Sequence, residues 1–147
     1  MLSEYLCIMD AIFTLQTINE VAAMFWKRYQ QRKVWAFHAA MGTGKTTFIH
    51  SLCNHVLNIK ENISSPTFSI INEYNSPIAG TVFHTDWYRL KEEEEAINAG
   101  IEDILHSGNI CLIEWPEKAI NLLPDNTLHI FMEALDEHTR RIFLTAE

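Results

Sequence analysis

The run Gly42-Thr43-Gly44-Lys45-Thr46-Thr47 holds the residue types and spacing that could do chemistry most directly. Glycines leave backbone N–H groups free to converge on phosphate oxygens, and a helix N-terminus that follows adds its partial positive charge. In such a loop Lys45 reaches the β- and γ-phosphates and the Thr46 hydroxyl takes one position on Mg²⁺. Met41, Gly42, Thr43, Gly44 and Thr47 complete the nucleotide-binding set. The full phosphate-loop pattern, G-x-x-x-x-G-K-[ST], has glycine where this chain has Ala39. A methyl is tolerated at that strand end while the backbone keeps a negative φ. The alternative, a chance Gly-Thr-Gly-Lys-Thr in a surface turn, has to explain why an apolar run precedes it and a helical pattern follows.

Such a loop needs a carboxylate on the metal side, at the end of a neighbouring strand. Val82-Phe83-His84-Thr85-Asp86 ends in Asp86 and Ile110-Cys111-Leu112-Ile113-Glu114 ends in Glu114, each followed by a tryptophan, Trp87 and Trp115. Ends of parallel strands converge on the ligand crevice of open α/β sheets. Both carboxylates are therefore candidates for the metal and the catalysis, and which one binds it directly stays open. Ser64-Ser65-Pro66-Thr67-Phe68 is a further candidate, with small hydroxyls that could sense a γ-phosphate and switch on hydrolysis. A polar loop entering a strand is the plainer reading of it. His84 lies two residues before Asp86, so alternation puts both on one side of a strand; a packed or hydrogen-bonded role is preferred to a catalytic one.

The elements that must position these groups follow from periodicity. Thr17-Ile18-Asn19-Glu20 has the form of a capping box, and Ile18, Val21, Ala22, Phe25 and Tyr29 recur at helical spacing, predicting a helix over 18–31. Val34 to Ala39 reads as a strand and 45–58 as an amphipathic helix. Thr67 to Tyr74 and Thr81 to Asp86 read as strands, joined by a turn at Asn75-Ser76-Pro77 and Gly80. Residues 91–107 are helical with an interruption at Gly100, and the acidic run Glu92 to Glu95 suits a helix start. Ile110 to Ile113 is an apolar run suited to a central strand. Thr127 to Glu133 and Arg141 to Ala146 predict a hairpin, with Leu128, Ile130 and Met132 pointing inward. The expected fold class is α/β, a P-loop NTPase-like three-layer sandwich around a mixed, mostly parallel sheet.

Length and charge exclude several classes. At 147 residues the chain predicts one domain, 1–147, without room for a separate substrate domain. Eleven Lys and Arg against 19 Asp and Glu give a formal charge of −8, which argues against a free-standing nucleic-acid binder. Cys7, Cys53 and Cys111 form no C-x-x-C pair and read as buried thiols in a reducing compartment. No apolar run approaches a membrane span, and Met1 to Asp10 is a poor signal peptide. A cytoplasmic protein is expected.

Taken with Ser65-Pro66-Thr67-Phe68, His84-Thr85-Asp86-Trp87-Tyr88-Arg89-Leu90 and Ile113-Glu114-Trp115-Pro116, the loop resembles the bacterial TsaE proteins over nearly the whole chain. Departures are Ala39-Ala40-Met41, where that family usually begins its loop with Gly-Asp-Leu, and a long apolar N-terminus. The resemblance implies a P-loop ATPase using ATP and Mg²⁺, accessory to a TsaB–TsaD pair that makes threonylcarbamoyladenosine in tRNA. The formal charge of −8 argues that tRNA is met through that complex rather than gripped by this chain, and neither membrane nor DNA binding is expected. By match to the family motifs Lys45 and Thr46 contact phosphate and Mg²⁺, Glu114 is the metal-side carboxylate, and Asp86 orients or activates water. Thr67 becomes the switch-like contact and Trp115 a wall of the site. Apart from these motifs, Arg140 lies between the last two predicted strands and is a candidate for the adenine edge. A small-molecule kinase and a nucleotide-dependent adaptor without turnover are the alternatives; a GTPase lacks its Asn-Lys-x-Asp segment.

Overall fold

The chain alternates strands and helices around a seven-stranded mixed sheet, described by a computed structural model over residues 9–64 and 70–145. In chain order the elements are β1 (Asp10–Phe13), α1 (Ile18–Tyr29), β2 (Val34–His38), α2 (Lys45–Ser51), β3 (Ile71–Ser76) and β4 (Gly80–Asp86). Then come α3 (Glu93–Asn98), α4 (Ile101–Leu105), β5 (Ile110–Glu114), β6 (Leu128–Ala134) and β7 (Arg140–Phe143). The sheet order is β1-β7-β6-β2-β5-β4-β3. Its four central strands, β6, β2, β5 and β4, are mutually parallel, and antiparallel strands close both edges. This arrangement sends the C-terminal ends of β2, β5 and β4 to one edge, with Phe37 in register with Glu114 and Glu114 with Asp86.

Alternation along the central strands divides the core in two. Trp35, Phe37, Ile110 and Leu112 face α1 and α2, whereas Val34, Cys111 and Ile113 face α3 and α4. Strands buried on both faces read as unbroken apolar runs, as Ile110 to Ile113 did. Phe48 of α2 anchors the first core, its ring centroid 5.8–6.0 Å from those of Phe13, Phe25 and Phe37. Truncation of a buried phenylalanine removes its transfer energy and leaves a cavity, typically ~3–5 kcal/mol. Phe48→Ala should therefore cost about that much in urea unfolding, and a loss under ~1 kcal/mol would show that this helix is not held by its core face.

Several expected boundaries shift for local reasons. The capping box does not form, because the Thr17 hydroxyl turns back to accept the Thr14 N–H at 3.0 Å instead of capping α1. The helix expected over 45–58 is α-helical only to Ser51 and continues as a wider π-helical turn over Leu52–Val56. Strand β3 begins at Ile71 rather than Thr67; residues 65–69, and with them the Thr67 site assignment, lie outside the described residues. Gly100 divides the 91–107 segment as expected, at φ +84°. Two elements were not anticipated: β1, and a 3₁₀ segment over Pro116–Leu122. Cys53 and Cys111 are free and buried, and burial pushes both thiols up to about 12.

Candidate functional site

Strand β2 ends at His38, and the chain passes through Ala39 to Thr43 before α2 begins at Lys45. Gly42 at φ +80° and Gly44 at φ +105° make this turn possible, since a side chain at either would be strained in the left-handed region. Ala39 stands outside that region: among the described residues only Asn58 and Trp115 combine a side chain with a positive φ. The first N–H groups of α2 have no acceptor within the helix, as at any helix start. The Thr43 hydroxyl donates to the Ala40 carbonyl at 2.7 Å, closing the loop on itself.

Lys45 is 6% exposed, and its ammonium donates to the Ala39 carbonyl at 2.6 Å. It also lies 3.5 Å from the centre of the Trp115 ring. Burial holds the ammonium below the ordinary lysine range, against the upward pull of Glu114, Glu117 and Asp86. Trp115 reaches this position from a left-handed backbone at φ +59°, an uncommon conformation for a bulky residue that Pro116 accompanies. Its ring also leans on Tyr88 at 5.0 Å between centroids. Trp115 is thus a wall of the site, whereas Trp87 is fully buried in the core beside α3 and α4 and donates its indole N–H to the Thr85 hydroxyl.

Next to the lysine, the Thr46 hydroxyl donates to Glu114 Oε1 at 2.7 Å. Glu114 is 2% exposed, and its second oxygen, Oε2, lies 2.7 Å from His84 Nε2. Asp86, at the end of the adjacent strand, accepts the Tyr88 N–H at 2.9 Å. Met41, Gly42, Gly44, Lys45, Thr46, Thr47, Asp86, Glu114 and Trp115 all border one cleft of about 370 Å³. Of the candidate residues, Thr43 lies on the other side of the loop. Arg89 is exposed and borders neither this cleft nor the next.

A second cleft, of about 290 Å³, shares Gly42, Gly44 and Thr47 with the first. Its remaining wall comes from Phe13 at the end of β1, Thr14 to Gln16, Ile18 of α1, Thr43, Glu137 and His138 of the β6–β7 turn, and Arg140. Arg140 opens β7, one residue before the strand expected from Arg141. Its Nε–H donates to the Thr43 carbonyl at 2.8 Å and its Nη1–H to the Asp136 carbonyl at 2.8 Å, so it ties the terminal hairpin to the glycine loop. Apart from Thr43, Arg140 and the loop residues, the sequence reading missed this wall, because it depends on a four-residue edge strand.

One further pair borders the loop. His38 Nε2 and His129 Nδ1 are 2.8 Å apart, and the His38 ring stacks on Phe131 at 4.7 Å. Burial, and the neighbouring His129, hold His38 below its ordinary value near 6.5, with Glu117 pulling the other way. Between that ordinary value and the lower folded one, the unfolded chain binds the extra proton and the folded chain does not. Stability should thus fall as pH drops below 6.5. In urea unfolding at several pH values, His38→Phe should flatten that fall; an unchanged slope would assign it to other groups.

The fold and this loop define a P-loop NTPase-like α/β protein, in which a glycine turn between strand and helix faces carboxylates from two neighbouring strands. A family model described as threonylcarbamoyl adenosine biosynthesis protein TsaE matches residues 13–142. The chain belongs to the TsaE family, and with it to the biosynthesis of threonylcarbamoyladenosine. The tRNA threonylcarbamoyladenosine biosynthesis protein TsaE of Haemophilus influenzae is 32% identical over 148 aligned residues, covering 99% of this chain and 90% of its own. That of Rickettsia bellii is 37% identical over 107 residues, 73% of each chain. A crystal structure of Bacillus subtilis YdiB shares the fold with a TM-score of 0.72 at 24% identity, covering 95% of this chain and 86% of that one. Among the described residues no helix is long and apolar enough to cross a membrane.

Proposed function

We propose that this protein binds and hydrolyses Mg²⁺-ATP and that its turnover serves threonylcarbamoyladenosine synthesis on tRNA through TsaB and TsaD. The observation that carries the reading is the Thr46–Glu114 hydrogen bond beside Lys45, at the edge of the glycine loop. A hydroxyl, one or two carboxylates and water suit Mg²⁺, which keeps much of its hydration and needs no cage of protein ligands. Among the described residues no group of three or more His, Cys, Asp or Glu could form such a cage. Thr46 and Glu114 would hold the ion, Asp86 would orient water, and Lys45 would meet the terminal phosphates. The bound ion would supply charge neutralisation on the phosphates.

The second cleft accommodates the nucleoside end, on the far side of the shared loop residues, with Arg140 at its edge. A kinase that clamps two sets of phosphates needs several free arginines. Here Arg140 is engaged with main-chain carbonyls, Arg141 with Asp10 and Glu133, and Arg32 with the Asn126 and Thr127 carbonyls. Intrinsic hydrolysis should therefore be slow, since among the described residues no arginine borders the cleft to neutralise transition-state charge. The formal charge of −8 favours action through protein partners, with tRNA met only in the complex and neither DNA nor membrane involved, in the cytoplasm. Phosphate release measured for the protein alone, then with TsaB–TsaD, then with tRNA added, tests this. Stimulation by the partners is expected, whereas robust phosphate transfer to a small acceptor would favour a kinase, and binding without release an adaptor.

A further inference from the structure

His84 belongs to none of the roles assigned above, yet its side chain sits directly behind a residue of the cleft, Glu114. It is fully buried on β4, and its Nε2 lies 2.7 Å from Glu114 Oε2 on the neighbouring strand. Register explains the contact: His84 sits opposite Leu112 and Asp86 opposite Glu114, so the imidazole reaches Glu114 diagonally, two residues along. Among the described residues, His84 Nδ1 has no hydrogen-bond partner. A carboxylate oxygen accepts, so a hydrogen on Nε2 completes this contact, while Nδ1, with no acceptor in reach, is better left as a lone pair than as a stranded N–H. The reverse tautomer would set two acceptors 2.7 Å apart and strand a buried N–H, the costlier defect. Glu114 is therefore gripped at both oxygens, by the Thr46 hydroxyl at Oε1 and by His84 at Oε2.

We propose that His84 is a positioning residue that, as an Nε2–H donor, fixes the Glu114 carboxylate in the orientation that faces Thr46 and a metal ion. The proposal rests on the Mg²⁺-ATP reading above. Without His84 the carboxylate can rotate about its last bond, and metal affinity falls while contacts to the nucleotide itself remain. Groups that orient a metal ligand in this way typically change metal affinity or activity by about 10–100-fold when replaced.

The test uses the full chain and its variants H84F, which keeps the ring and removes the donor, and H84Q, which places an amide N–H near the former Nε2. Calorimetric titration of ATP at graded Mg²⁺ should show H84F raising the Mg²⁺ concentration for half-maximal affinity about 10–100-fold. Its ATP affinity in EDTA should stay within about twofold and H84Q should restore most of the Mg²⁺ dependence. Combining H84F with E114Q should add nothing to E114Q alone. In the nucleotide-free protein, ¹⁵N-imidazole NMR should give His84 the Nε2–H pattern. An Nδ1–H pattern, an unchanged Mg²⁺ dependence in H84F, or an equal loss in EDTA would overturn the proposal. Should H84F fail to fold, H84Q and the tautomer decide. A wild-type protein whose ATP affinity ignores Mg²⁺ would overturn the metal reading and the positioning role together, whereas an unaltered H84F overturns only the latter.

Discussion

Glu114→Ala should lower Mg²⁺-dependent ATP hydrolysis by about a hundredfold or more, the scale seen when a preorganised charge-stabilising group is removed from an active site. ATP affinity measured without Mg²⁺ should not fall, because the carboxylate repels phosphate rather than binding it. The size of the effect follows from burial. Glu114 is 2% exposed at the end of a central strand, so water cannot replace it freely as a ligand. Both of its oxygens are already oriented by hydrogen bonds, so little reorganisation is left to be done when an ion arrives. The alanine variant also leaves the Thr46 hydroxyl and the His84 N–H without their acceptor, at about 1–3 kcal/mol for each buried group that finds no other. Glu114→Gln separates this structural cost from the electrostatic one, because it keeps the shape and one acceptor oxygen. Phosphate release over a Mg²⁺ series, with melting temperatures for both variants, makes the measurement. Normal hydrolysis by Glu114→Ala would remove Glu114 from the metal site.

The parts of this site carried by contiguous residues were legible in the sequence. An apolar strand, a Gly-Thr-Gly-Lys-Thr turn and an amphipathic helix are local signals, and each of the two carboxylates ends a segment that reads as a strand. What was not legible depends on neighbours distant in the chain. Asp10–Phe13 has too few residues to show a period, and Ile12 is 62% exposed. Its place as the edge strand follows from pairing with β7 and from the Arg141 guanidinium on the Asp10 carboxylate, 131 residues away. The second cleft exists only once that strand is set beside the terminal hairpin. His84 illustrates the same limit at closer range. Alternation correctly put it on the side of Asp86, but its partner is Glu114, on a strand 30 residues later. The capping box failed for the opposite reason, a purely local competition in which the Thr17 hydroxyl satisfies Thr14 instead of the helix.

Lys45→Ala should weaken ATP binding by about two orders of magnitude, with or without Mg²⁺. Hydrogen bonds to charged groups contribute ~1.5–3 kcal/mol each. Each 1.4 kcal/mol is tenfold in affinity, so losing one such bond and part of a second accounts for about a hundredfold. The ammonium waits at the cleft in a defined pose, its hydrogen on the Ala39 carbonyl and the Trp115 face 3.5 Å away. Ordering a lysine side chain costs up to about 2 kcal/mol, and this pose meets that cost before any phosphate arrives. Phosphate oxygens have only to outbid one neutral carbonyl. Trp115→Leu should then weaken ATP binding by a smaller factor, about three- to tenfold, matching the ~0.5–1 kcal/mol or more of a cation–π contact. Lys45→Arg should not restore the wild-type affinity, since a planar guanidinium cannot follow the same path between the Trp115 ring and the Ala39 carbonyl. Titration calorimetry on the three variants orders these effects. ATP binding by Lys45→Ala within about threefold of wild type would mean that the Gly42–Thr47 turn does not bind phosphate in the way its shape suggests.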